Sequence, residues 1–237
     1  MIEFYCPDIE IQKKLSKEES LHCSRVLRKR DGDEIQVVDG KGYRYFCKIT
    51  DSKAKEISVE IIKKEKERER RDYKMILAIA PTKNIDRIEW MVEKCIEIGI
   101  DGFAFVNCDR SERKRINIDR LKRIAVSAMK QCLSAYLPEM EEYSSLNEFL
   151  QNYKENGLKY IGYCSDKIEK NNYAKELLPK RDVVVIIGPE GDFTEKEVED
   201  CMKAGFKPVT FGESRLRTET AGLYAVTAVS VINEASK

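Results

Sequence analysis

Two short stretches in the last quarter of the chain hold the residues best suited to binding and reaction. Gly188-Pro189-Glu190-Gly191 sets two positions without a Cβ around an acid, and Leu216-Arg217-Thr218-Glu219-Thr220 sets a guanidinium two residues from a carboxylate. Glycine turns let a ligand approach the main chain itself, so that N–H and C=O groups can read the edge of a planar ring such as adenine. Ile187, Phe211 and Leu216 stand next to these turns as apolar cover for the ring faces. Arg217 and Glu219 admit two readings: charged groups beside a reaction centre, or an ion pair capping the final helix.

Several other chemistries are excluded by residue type. His22 is the only histidine, so a histidine metal cluster is impossible and a Ser-His-Asp triad would need that one residue. Asp and Glu are dispersed, and the eight cysteines include no Cys-x-x-Cys pair. That distribution predicts reduced thiols rather than a disulfide frame or zinc site, and no bound metal. Gly188–Gly191 lacks the Gly-Lys-Ser/Thr of a phosphate loop, and no Gly-x-Gly-x-x-Gly opens a dinucleotide-binding unit.

The two stretches need a scaffold, and the flanking residues supply one. Val183-Val184-Val185-Ile186-Ile187 reads as a buried strand running into the first turn. Thr194-x-x-Glu197 is a helix start, and a second short strand near Pro208–Phe211 leads through Gly212 to the second stretch. Loops after adjacent strands are where open α/β sheets place ligands. Upstream, Met75–Ala80 and Phe103–Val106 read as strands, and Lys159–Tyr163 as another. Helical spacing covers Ile85 to Ile96 with Gly99 as cap, then Ile118 to Cys132, and Leu146 to Tyr153. Ala221 to Ile232 is small or apolar on nearly every face, which predicts burial on most sides by the sheet and a partner subunit.

The first 65 or so residues differ in kind. Met1–Tyr5 alternates like a strand, Ser16-x-x-Glu19 opens a helix through Leu27, and strands follow at 34–38, 43–50 and 56–62. This pattern predicts a small β-barrel. The mixed-charge run Lys63–Asp72 then marks the boundary, either as a solvated linker or strand end, or as a strap touching RNA. Net charge is only +1 although 36% of residues are charged, so any nucleic-acid contact must be a local patch. No apolar run approaches the ~20 residues of a membrane helix, and no signal peptide is visible, so a soluble cytoplasmic protein is expected.

Ile187–Gly191 followed by Leu216–Thr220 resembles the paired carboxyl-terminal motifs of the bacterial ribosomal RNA small subunit methyltransferase E family, in the SPOUT superfamily. His22-x-x-Arg25-Val26-Leu27-Arg28, with Gly32-Asp33 and Asp39-Gly40 behind it, resembles that family's PUA-like RNA-binding barrel. Lys94-x-x-Glu97-Ile98-Gly99 is similar to its Lys-x-x-Glu-Leu-Gly helix end, and Arg110-Ser111 to the following loop. One departure stands out: where the family commonly has Glu-Gln-x-x-Arg before Leu-Pro, Lys130-Gln131-Cys132-Leu133 is followed by Ser134, ahead of Leu137-Pro138.

The resemblance implies an α/β chain: a trefoil-knotted SPOUT methyltransferase domain over 73–237 with a mostly parallel sheet, preceded by a PUA-like β-barrel over 1–70. It implies S-adenosyl-L-methionine as methyl donor and, as acceptor, N3 of uridine 1498 of 16S ribosomal RNA within the small ribosomal subunit. A homodimer is expected, with no metal and no membrane. Cofactor contacts would fall on Ile187, Gly188, Pro189, Glu190 and Gly191, on Phe211 and Gly212, and on Leu216, Arg217, Thr218 and Thr220. Arg217 or Arg110 would stabilise charge on the uracil, while Glu219 orients Arg217 or takes the proton. RNA would meet His22, Arg25, Arg28, Lys29 and Arg30, then Arg110 and Arg113. Two alternatives fit the same residues: another SPOUT methyltransferase acting on a ribose hydroxyl or a transfer RNA base, and a non-catalytic RNA-binding assembly factor.

Overall fold

The computed structural model describes residues 3–67, 71–154 and 156–236. Met1 and Ile2 of the first expected strand, and Arg68–Arg70 of the charged run, therefore lie outside the described residues. The chain divides into two compact units, one of residues 1–70 with 126–137 and one of residues 71–125 with 138–237.

The first unit is a four-stranded sheet in the order β1 (Glu3–Tyr5), β2 (Glu34–Val38), β3 (Tyr43–Asp51), β4 (Ser58–Lys66). β1 lies parallel to β2, and the other pairs are antiparallel. Between β2 and β3 the turn needs left-handed backbone at Gly40 (φ +75°) and Gly42 (φ +96°), and Asp39 closes it by accepting from the N–H groups of Lys41 and Tyr43. Phe4, Ile9, Leu15, Val37, Tyr45 and Ile49 fill the core with α1 (Ile9–Gln12). β4 continues to Lys66, so the first half of the charged run is strand, paired to Tyr43–Phe46.

The expected helix after Ser16 is α2 (Lys17–Leu21), which widens into a π-helical turn at His22–Val26. Its capping box is half made. Ser16 accepts from the Glu19 N–H, but the Glu19 carboxylate turns away to the Tyr5 N–H and to Lys130 Nζ at 2.6 Å. Residues 126–137, expected in the second domain, belong with the first unit for a related reason. Besides Lys130, the Gly42 N–H donates to Ala135 O at 2.9 Å, and the Arg44 guanidinium to Leu133 O at 2.9 Å. Ser134, in the place of the family arginine, closes this turn by accepting from the Tyr136 N–H at 3.1 Å.

The second unit is a seven-stranded sheet in which every pairing is parallel. Its order is β7 (Glu139–Tyr143), β6 (Gly102–Val106), β5 (Met75–Ile79), β10 (Val183–Ile187), β8 (Leu158–Gly162), β11 (Lys207–Thr210), β9 (Asn171–Asn172). β10 lies mid-sheet with all five residues buried, which its β-branched composition requires. The helices are α3 (Ile85–Ile98), α4 (Ile118–Gln131, its residues from 126 onward counting with the first unit), α5 (Leu146–Asn152), α6 (Tyr173–Glu176), α7 (Glu195–Lys203) and α8 (Thr218–Glu234). α3 ends at Gly99 with φ +111°, the left-handed cap its sequence calls for. No helix among the described residues is long and apolar enough to cross a membrane.

Within the chain, α8 is buried along one side. One stripe, including Ala221, Gly222, Ala225, Val226 and Val229, packs on α3, β5 and β10. Gly222 permits this, because a Cβ there would stand 2.8 Å from Met91 Sδ. Tyr224 and Val231 on other faces remain exposed.

α7 carries a complete capping box: Thr194 Oγ1 accepts from the Glu197 N–H, and the Glu197 carboxylate accepts from the Thr194 N–H at 2.8 Å. The other Glu197 oxygen accepts from the Asp109 N–H at 2.9 Å, so the cap also fixes the loop after β6. Thr194→Ala should cost about 1 kcal/mol in urea denaturation, with Thr194→Ser recovering most of it.

Candidate active site

β10, β8 and β11 are neighbours, and their carboxyl ends share one rim. A cleft of about 650 Å³ opens there, of a size suited to a cofactor. Its walls come from three loops: Ile187–Glu190 after β10, Val209–Thr218 after β11, and Gly162–Cys164 after β8. Ile187, Phe211 and Leu216 are among its apolar lining residues.

A hydroxyl ties the first two loops together. Thr218 Oγ1, buried at the start of α8, donates to Gly188 O at 3.1 Å. Arg110 secures the far side of the glycine turn, its guanidinium donating to Gly191 O and Phe193 O at 3.1 Å each. Neither Gly188 nor Gly191 is needed for a left-handed backbone; in this turn that belongs to Asp192, at φ +60°. The glycines answer to crowding instead. A Cβ on Gly188 would lie 2.8 Å from the Phe193 ring, and one on Gly191 3.2 Å from Arg110 Cβ.

Most of the expected cofactor residues meet in this cleft: Ile187, Gly188, Pro189 and Glu190 from one loop, and Phe211, Gly212, Leu216, Arg217 and Thr218 from the other. Gly191 turns its carbonyl away to Arg110. Thr220 and Glu219 face an adjoining groove, which Arg217 borders as well. Glu219 does not pair with Arg217; its partner is Arg87 of α3, with Nε 3.7 Å from Oε1. Arg110 lies behind the turn rather than in the cleft, and Arg113 donates to Thr82 O and Lys83 O. Both therefore anchor loops. In the first unit Arg25, Arg28 and Arg30 are exposed on and after the π-helical turn, Lys29 donates to Glu34 O, and His22 packs near the Phe4 ring.

The third wall was not foreseen. Cys164 and Lys170 line the cleft; Lys170 Nζ donates to Ser165 O at 2.5 Å, and the Cys164 N–H donates to Asp192 Oδ2 at 3.2 Å. The turn residues after β8 were a visible signal, but only the strand order places them between the other two loops. Partial burial, followed by the Asp192 charge, raises the Cys164 thiol above its ordinary range, so it stays protonated at neutral pH. Among the described residues no group of three or more His, Cys, Asp or Glu is arranged to hold a metal ion. Phe211 also belongs to a run of edge-on rings, from Tyr160 through Tyr173 and Phe211 to Tyr224.

A parallel α/β sheet with a three-loop cleft, joined to a small mixed-sheet unit, agrees with known protein families. A family described as RNA methyltransferase domain matches residues 69–230, and one described as RNA methyltransferase PUA domain matches residues 15–62. The chain belongs to this family of RNA methyltransferases. Within it, the chain is similar to the ribosomal RNA small subunit methyltransferase E of Buchnera aphidicola subsp. Acyrthosiphon pisum, at 29% identity over 92% of this chain and 87% of the relative. The protein of the same name from Bacillus subtilis is 26% identical over 93% of this chain and 90% of its own length. Among solved structures, a probable rRNA-methyltransferase from Porphyromonas gingivalis is 38% identical, covers 100% of both chains and gives a TM-score of 0.93. Lpg2936 from Legionella pneumophila, in complex with the bound cofactor SAM, is 27% identical over 98% of both chains, with a TM-score of 0.84.

Thr218→Val keeps the shape of the side chain but leaves the buried Gly188 carbonyl without its donor. It should lower stability by about 1–3 kcal/mol in chemical denaturation, whereas Thr218→Ser should stay near the parent value.

Proposed function

We propose that this chain transfers a methyl group from S-adenosylmethionine to N3 of a uridine, position 1498, in 16S ribosomal RNA of the small subunit. The observation that carries this reading is the three-loop cleft, whose glycine turns bring main chain and apolar side chains to one space. Its volume of about 650 Å³ suits an adenosyl group, and a Cβ on Gly162 would run into Phe211, itself a wall of the cleft. The residues thus fit the cofactor. Ile187, Phe211 and Leu216 cover the adenine faces, and main-chain groups of the loops read its edge. The names of the relatives and the bound SAM of Lpg2936 support the same assignment.

When bound, the donor supplies an electrophilic methyl group, and no metal is needed for that. N3 of uracil holds a proton and is a poor nucleophile until that proton leaves. Arg217, at the border of cleft and groove, stabilises the negative charge that develops on the uracil oxygens. Glu219, buried in the first turn of α8, takes the proton. Arg110 acts through the glycine turn as a positioning residue. RNA binding falls to the first unit, where the π-helical turn presents Arg25 and Arg28 beside Arg30. The exposed apolar residues of α8, Tyr224 and Val231, are the surface for a second copy of the chain.

Methylation of small ribosomal subunits lacking the modification, followed by mass mapping, tests the reaction: a single new methyl group on N3 of the target uridine is expected. A label on a ribose or on transfer RNA would replace this reading with another methyltransferase, and no calorimetric heat with S-adenosylmethionine would leave only an RNA binder. Arg217→Ala should lower turnover by about 10²–10³-fold, with cofactor affinity measured separately and little changed. Arg25→Glu with Arg28→Glu should weaken RNA binding and reduce the slope of log affinity against log salt by about 2, sparing cofactor binding. An unchanged slope would remove the patch from the interface.

A further inference from the structure

A second groove, of about 640 Å³, runs beside the cleft between the amino-terminal turns of α3 and α8. Arg87 and Trp90 line it from α3, and Arg215, Leu216, Arg217 and Glu219 from the chain entering α8. Three of these, Arg215, Leu216 and Arg217, also line the cleft, so the two spaces adjoin.

The groove contains a built acceptor. The Glu219 side chain is only 9% exposed; Oε1 faces Arg87, while Oε2 is buried with no hydrogen-bond donor. A buried carboxylate oxygen without a donor is costly, and such an atom in a native fold calls for an explanation. The Arg87 guanidinium meets only Oε1, so the carboxylate has acceptor capacity to spare. Trp90, by contrast, is 46% exposed, a large flat apolar surface at the edge of the same groove. Arg215 and Arg217 add two exposed guanidinium groups suited to phosphate.

We propose that this groove seats the acceptor base, an unstacked uracil, and that Trp90 and Arg87 are further determinants of its recognition. The inference rests on the uridine methylation reading and specifies where the RNA enters that site. The uracil ring stacks on Trp90, its imide N–H donates to the Glu219 carboxylate, and Arg215 engages a neighbouring phosphate. Arg87 is a positioning residue that holds the carboxylate in place through its contact with Oε1. Cytosine is rejected because its N3 is itself an acceptor, and N3-methyluracil because it has no N–H to give.

Trp90 is the only tryptophan of the chain, so its fluorescence reports on this groove alone. The full-length protein, saturated with S-adenosylhomocysteine, is titrated with a short RNA copying the 16S segment that bears the target uridine. Two further RNAs carry cytidine or N3-methyluridine at that position. The uridine RNA should quench Trp90 emission with an apparent Kd at least tenfold below those of the other two. Glu219→Gln should bring the three within about twofold of one another. Arg87→Ala should weaken the uridine RNA several-fold, with Arg87→Lys recovering part of the loss. Equal Kd values for the three RNAs on the parent protein, or RNA binding with no change in Trp90 emission, would overturn the proposal without recourse to any variant. Failure of S-adenosylhomocysteine to bind in calorimetry would instead count against the cofactor reading, which separates the two.

Discussion

The hydrogen bond from Thr218 to the Gly188 carbonyl is the constraint on which the cleft depends. It joins the end of a central strand to the beginning of the last helix across 30 residues of sequence. With it in place, the two loops share one space and α8 starts where its first turn can present Glu219. Gly222, one turn further along, sets how closely that helix lies against Met91, Leu77 and Ile79. Binding wall, buried acid and helix packing therefore have a common origin in four or five consecutive positions.

The parts of the site built on strand ends were legible from residue order alone. A β-branched run followed by glycines, then a capping box, specifies strand, turn and helix by local physics, and the structure has β10, the Gly188–Gly191 turn and α7 in that order. What the sequence concealed was relational. β8 lies between β10 and β11, which no local pattern states, so the wall carrying Cys164 and Lys170 was not foreseen. The partner of Glu219 is Arg87, more than 130 positions away, while the nearer Arg217 is free to border the cleft.

Other misses have similar causes. β7, Glu-Met-Glu-Glu-Tyr, has almost no apolar alternation because it is an edge strand paired only with β6. Charged edges of this kind protect a sheet from further pairing, at the cost of looking like loop. The π-helical turn at His22 has no reliable signature in residue type, yet it governs how Arg25 and Arg28 are displayed. Ser16-x-x-Glu19 has the residue pattern of a capping box, but Lys130 and the Tyr5 N–H take the carboxylate. The guanidinium groups of Arg110 and Arg113 hold backbone carbonyls of neighbouring loops, contacts that residue spacing does not state.

The position of β10 has a consequence for how the chain is assembled during synthesis. β5 is complete by residue 79, but one of its two flanks stays unpaired until residues 183–187 emerge, and α8 then has to dock onto β5 and α3 from still further along. A nascent chain of intermediate length thus exposes the bare flank of an apolar strand, a hazard for cross-association with other chains. Such non-local pairing also makes for slow folding. The cleft is completed only once the Val209–Thr218 segment has been made, so a chain truncated before it lacks one of the three walls.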